Sequence, residues 1–334
     1  MEKQREIWVD NVKVIACILV VLGHFFQSMT KSAVLPASDL YQWFNQTIYF
    51  FHVPLFFICS GYLYQKLSVV NDVHSWGRNI QKKLLVLGVP YFTFSFATWI
   101  LKTLFSSSVN NEIGGLGETL FLHPASPYWY LYALFFLFLI TPTFRSRTIA
   151  LIGLSVALTF KALGIFGGDG VQVISYILSN EIWFVIGMCL SVFKFKKYLL
   201  KKSRIIPIAL CVTFLALSIW VYIAGIEHGV VSFLLGLLVC CSIVMLIEQI
   251  YENGRQSIVF GTLAKYIMPI FLMHTLFAAP LRTVLFKLGI HNAVIHVILG
   301  IAISFIGPMI VTVIMKKTKW LEFFLYPGKF IKMK

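Results

Sequence analysis

Charge is what this sequence has least of. Asp, Glu, Lys and Arg make up 12% of its residues, against about 25% in a soluble globular domain. No Pro/Gly/Ser-rich linker interrupts the chain, and no polar stretch is long enough to build a second soluble unit. A single domain over residues 1–334 is therefore expected. The six cysteines (Cys17, Cys59, Cys189, Cys211, Cys240, Cys241) all fall within apolar blocks. None has zinc-ligand spacing, so they read as small buried hydrophobes rather than a disulfide framework or a metal site. No His-x-x-x-His or Glu-x-x-His pair occurs within an apolar block, which argues against a metal-dependent membrane enzyme.

Apolar residues are what is abundant: 59% of the chain, with a mean hydropathy of +0.84. They cluster in blocks at 12–30, 41–64, 84–105, 129–144, 148–166, 171–193, 205–224, 229–250, 262–285 and 294–315. Most are long enough to cross a bilayer, so an all-α, polytopic membrane protein of about ten helices is expected. The first block is not followed by a small-residue cleavage pattern and reads as a retained helix. The net charge of +15 does not indicate nucleic acid, because the basic residues lie in alternate loops. All but five of the 28 (Lys31, Lys102, Lys161, Arg282 and Lys287) fall on the side of the N-terminus. The positive-inside rule then predicts that both termini are cytoplasmic. Residues 65–83 read as a basic cytoplasmic loop, and residues 106–128 as the longest outer loop.

An ionisable side chain inside an apolar span is costly and marks a site or a pathway. At about 1.5 Å of rise per residue, His24, His52, Glu181 and His274 all fall near mid-membrane, each on a different helix. Such residues can converge on one cavity, or each can hydrogen-bond a neighbouring helix. Lys13 and His24 are eleven residues apart, nearly three turns, so they share a helix face about 16 Å apart. Asp10, one turn before Lys13, is placed to pair with it, and Lys13 also suits a snorkelling anchor at the interface.

These residues resemble the acyltransferase-3 family of membrane acyltransferases, whose first helix carries Arg or Lys, ten residues, then His. Lys13 and His24 match that pattern. The stretch Phe50-Phe51-His52-Val53-Pro54-Leu55-Phe56-Phe57-Ile58-Cys59-Ser60-Gly61-Tyr62 is similar to the family's second-helix signature. Arg78 to Tyr91 resembles its basic third-helix segment, although the Arg-x-x-Arg often seen there is absent and Lys82 and Lys83 supply the charge. Tyr128-Trp129-Tyr130-Leu131 and Ile270-Phe271-Leu272-Met273-His274 match weaker signatures.

The resemblance implies transfer of an acyl group, usually acetyl from acetyl-CoA, to a hydroxyl of a cell-envelope carbohydrate, in the plasma membrane among its lipids. On that reading Arg78, Lys82 and Lys83, with Lys13, hold the phosphates of the acyl-CoA. His24 acts as general base, Asp10 orients Lys13, and Glu181, His52 or His274 assist the base. Two other classes remain open. One is a transporter or exporter of a polysaccharide, although no internal repeat of the kind common in such folds is visible. The other is a non-catalytic partner in envelope assembly, in which His24 is dispensable.

Overall fold

A computed structural model describes residues 6–68, 70, 72–105, 114–166, 172–199 and 203–331. Among the described residues the fold is all-α, with no strand. Its helices are α1 (Ile7–Lys31), α2 (Asp39–Tyr49), α3 (His52–Leu67), α4 (Val73–Lys83), α5 (Val89–Leu104), α6 (Trp129–Ile140) and α7 (Arg147–Phe166). They continue as α8 (Gln172–Val192), the short α9 (Lys196–Leu199), α10 (Ile205–Ile223), α11 (Gly229–Ile250), α12 (Ile258–Lys287), α13 (Ala293–Lys317) and α14 (Lys319–Leu325). Among the described residues nine helical stretches are long and apolar enough to span a membrane, with α2–α3 and α4–α5 each counting as one. The chain is a multi-pass membrane protein. The expected span at 129–144 is shorter than the sequence indicated: α6 has 12 residues and reaches about 18 Å, less than the roughly 30 Å hydrocarbon core.

Two sequence boundaries move for reasons rooted in proline. The block at 41–64 is not one helix but breaks at Phe50 and Phe51, where Phe51 leaves the helical region (φ −142°). Pro54 sits in the first turn of α3, where its missing N–H is one of the donors a helix start leaves unpaired anyway. The expected loop at 65–83 is helical from Val73, and α4 runs through a π-helical turn, Leu84–Gly88, into α5. Pro90 lies at the start of α5, where it donates no backbone bond, and a wider turn before it accommodates that loss. A capping box starts α4: the Ser75 backbone donates to Asp72 Oδ1 at 2.7 Å, and the Asp72 backbone donates to Ser75 Oγ at 3.1 Å. Hydrogen bonding to the carboxylate by Ser75, from its backbone N–H first and its hydroxyl second, holds the Asp72 carboxyl below its ordinary value.

The helix pair α3 and α8 packs backbone against backbone. A Cβ on Gly61 would lie 1.9 Å from the Phe184 carbonyl oxygen, and one on Gly187 would lie 2.0 Å from that of Ile58. Small residues that let two helices touch in this way drive association where lipid removes the hydrophobic incentive. The Ser-Gly-Tyr of the second-helix signature is thereby explained. Ser60 Oγ bonds Tyr130 Oη at 3.0 Å, Gly61 meets α8, and Tyr62 packs edge-on against Trp8 with ring centroids 4.8 Å apart. On the face where α1 begins, Lys196 bridges Glu6 at 3.0 Å and Glu248 at 3.1 Å, and Lys66 pairs with Glu6. That network ties α1, α3 and α11 together through α9.

The segment before α6 runs over the surface as far as His123 and turns into the bundle at its end. The expected loop at 106–128 falls outside the described residues over 106–113. Its later part packs onto α5, where Tyr91 Oη donates to the Leu120 carbonyl at 2.6 Å, and then turns inward. Tyr128 is fully buried; its hydroxyl bonds Thr98 Oγ1 at 2.7 Å and donates to the Leu272 carbonyl at 3.0 Å. Both partners lie mid-helix in α5 and α12. Irregular backbone is tolerated at such depth where it is covered by protein or lines a cavity, and residues 125–128 do both.

Candidate active site

His24 on α1 and His274 on α12 come together between their helices, His274 Nε2 lying 3.1 Å from His24 Nδ1. The pattern of partners fixes the protons. His274 Nδ1 lies 3.0 Å from both the Ile270 and Phe271 carbonyl oxygens. Carbonyls only accept, so His274 Nδ1 carries the hydrogen and its Nε2 holds a lone pair. His24 Nδ1 must then donate to that lone pair, which leaves His24 Nε2 as the free basic nitrogen. Ser126 Oγ stands 3.2 Å from this nitrogen. The chain of hydrogen bonds thus runs from two helix carbonyls, through a histidine 1% exposed to solvent, to a second histidine whose lone pair faces outward.

That lone pair faces a cavity of about 620 Å³, within the range of small-molecule sites. His24, His52 and Ser126 lie along it, and it extends to the turn between α10 and α11 at Glu227 and His228. Its walls mix aromatic rings (Tyr49, Trp129, Trp183) with amides (Gln46, Asn180) and the ammonium of Lys161. His52 owes its place to the α2–α3 break: its Nδ1 takes the Ile48 carbonyl at 2.6 Å, and its ring sits edge-on to Tyr49 at 4.7 Å. The same accounting makes His52 Nδ1 the donor and leaves its Nε2 with a lone pair.

The other candidates are placed elsewhere. Glu181 is buried but does not line the cavity; Thr141 Oγ1 donates to its Oε1 at 3.4 Å. Asp10 and Lys13 lie toward the opposite end of α1, near Cys59. Lys13 and Lys82 are close enough to Lys83 to act on its charge, and Lys83 turns inward with its ammonium 3.8 Å from the Phe138 ring centroid. Arg78 and Lys82 are exposed on α4, Arg78 near Asp72. None of these cations lines the cavity beside His24. Sequence reasoning did not single out Ser126 or Asn180, and it met Trp129 only within a weak signature and Lys161 only as a loop charge, neither as a site residue. The serine sits in a Pro-Ala-Ser-Pro run with no hydropathy signal, and only the aromatic Tyr-Trp-Tyr that follows marks its neighbourhood.

Comparison with known proteins places the chain in a class. The acyltransferase-3 family model, described as an acyltransferase domain, matches residues 6–313, and the chain belongs to this family of membrane acyltransferases. It is 27% identical over 284 residues to the inner membrane protein YcfT of Escherichia coli (strain K12), covering 76% of this chain and 73% of that protein. It is also 27% identical over 169 residues to the nodulation protein NolL of Mesorhizobium japonicum, covering 48% of this chain and 42% of that relative. No solved structure matches.

Proposed function

We propose that this protein transfers an acetyl group from acetyl-CoA to a hydroxyl of a cell-envelope or exported carbohydrate, with His24 as the general base. The observation that carries the reading is the hydrogen-bond chain that turns the lone pair of His24 Nε2 toward the cavity and the Ser126 hydroxyl. A neutral imidazole held in that tautomer is suited to take a proton from an attacking hydroxyl near neutral pH. The wall of rings and amides in Tyr49, Trp129, Trp183, Gln46 and Asn180 suits a sugar, which offers apolar ring faces and many hydroxyls. Lys13, Lys82 and Lys83 gather three positive charges where α1 begins, the side the basic loops assign to the cytoplasm. In this reading the phosphates of the donor bind there and its thioester reaches inward to His24, while the acceptor enters through the cavity from the other face.

The test compares surface glycans of cells lacking the protein after complementation with wild type or His24→Ala at equal membrane abundance. Wild type is expected to restore an O-linked ester that the variant does not. If both restore it, His24 is not the base. If glycan export changes and no ester does, the protein is an exporter.

A further inference from the structure

The chain of side chains at His24 contains one member that direct transfer does not need, and it is a hydroxyl. Ser126 Oγ lies 3.2 Å from the lone-pair nitrogen of His24, and His24 is oriented in turn by His274 at 3.1 Å. A hydroxyl on a base, with the base held by a third group, is the arrangement that activates serine nucleophiles. Ser126 is open to the cavity, whereas Pro127 and Tyr128 beside it are buried. Its loop is fixed by Tyr128, whose hydroxyl is held by Thr98 and Leu272 and whose backbone N–H donates to the Ala125 carbonyl at 2.7 Å. The serine is therefore both positioned and reachable.

The geometry points to a Ser126–His24–His274 triad in which Ser126 carries the acyl group between donor and acceptor. This rests on the acyl-transfer reading above and adds a covalent step to it. In the first half, His24 Nε2 takes the proton of Ser126 Oγ as the oxygen bonds the thioester carbonyl carbon. The carbon–sulfur bond then breaks and the CoA thiolate leaves with that proton, so Ser126 holds an ester and His24 is again neutral. In the second half, the acceptor hydroxyl gives its proton to His24 and attacks the ester. The Ser126 oxygen leaves and recovers the proton. Two half-reactions at one serine fit a site whose proposed donor and acceptor come from opposite faces, since the two substrates need never occupy the cavity together.

The half-reaction is testable without knowing the acceptor. Purified full-length protein is given acetyl-CoA and isotopically labelled CoA with no acceptor, and label appearing in acetyl-CoA is followed. Wild type is expected to exchange label, and Ser126→Ala and His24→Ala to fall to background. Acid-quenched wild type is expected to carry one acetyl group on the peptide containing Ser126, a measurement that does not depend on any variant folding. Ser126→Cys is expected to keep exchange through a thioester, making the trapped acetyl labile to hydroxylamine at neutral pH. Acetyl found on His24 overturns the proposal. So does wild type that acetylates a surface-glycan fraction without any CoA exchange, or Ser126→Ala that does so at the wild-type rate. Wild type that neither exchanges label nor acetylates glycan removes the acyl-transfer reading itself, and the triad with it.

Discussion

Removing His274 separates a positioned base from a histidine that happens to be buried. In His274→Ala the acceptor for His24 Nδ1, now 3.1 Å away, is gone. His24 is then free to place its hydrogen on Nε2, the nitrogen that faces Ser126 and the cavity. The hydrogen bond biases the tautomers by its net worth of about 1 kcal/mol, so the tautomer effect alone is about fivefold. Loss of ring orientation adds to this, up to the roughly 10²- to 10⁴-fold that a general base contributes in full. A fall in kcat of about 10²-fold is expected, at the low end of that range. The KM for acetyl-CoA should hardly move, because His274 is 1% exposed and does not line the cavity beside His24. His274→Gln sets a carbonyl oxygen near the place of Nε2, able to accept from His24 Nδ1, and should recover much of the rate. Steady-state kinetics on purified protein, checked for equal folded fraction by size-exclusion profile, reads both parameters. A His274→Ala enzyme within a few-fold of wild type, or one whose loss lies wholly in KM, would refute the assignment of tautomers.

Four other outcomes follow from the same geometry. Glu181→Gln should leave turnover close to wild type, since Glu181 bonds Thr141 away from the cavity; a loss as deep as that of His24→Ala would show that the carboxylate reaches the site. Lys83→Ala should raise the KM for acetyl-CoA more than it lowers kcat, and by more than Arg78→Ala does, because Lys83 turns inward beside Lys13 while Arg78 is exposed. Gly61→Ala drives a Cβ to 1.9 Å from the Phe184 carbonyl oxygen and should destabilise the α3–α8 pair by about 1–3 kcal/mol or more, visible as a lower midpoint of thermal unfolding in detergent. Asp72 has a folded-state pKa below its unfolded one, so its contribution to the start of α4 is present above the unfolded value and lost as pH falls through the folded one. Hydrogen exchange at residues 73–76 should therefore quicken on acidification in wild type and already be quick at neutral pH in Asp72→Ala.

Hydropathy made the spans legible because it sums over many residues, and an all-α membrane protein follows from blocks of such length. Where single residues decide, the sum is blind. Pro54 and the Phe50–Phe51 break escaped it because both sides of the break are equally apolar. His24 and His274 stood out because an imidazole in hydrocarbon is costly enough to require a reason. Ser126 carries no such cost, and its depth follows from an inward turn of backbone that composition does not record.

Glu181 shows the other limit. Counting residues along a helix gives depth at about 1.5 Å per step, but successive residues also turn by about 100°. Asn180 lines the cavity, and Glu181, one residue on at the same depth, meets Thr141 instead. The basic segment divides in the same way. Arg78 and Lys82, four residues apart, share the exposed face of α4, whereas Lys83 is carried inward to Phe138 and toward Lys13. A run of three cations in sequence is therefore one inward charge and two outward ones. If the donor's phosphates are bound on this face, Lys83 and Lys13 are the pair that can draw its acyl end into the bundle, with Arg78 and Lys82 left to attract it from solvent.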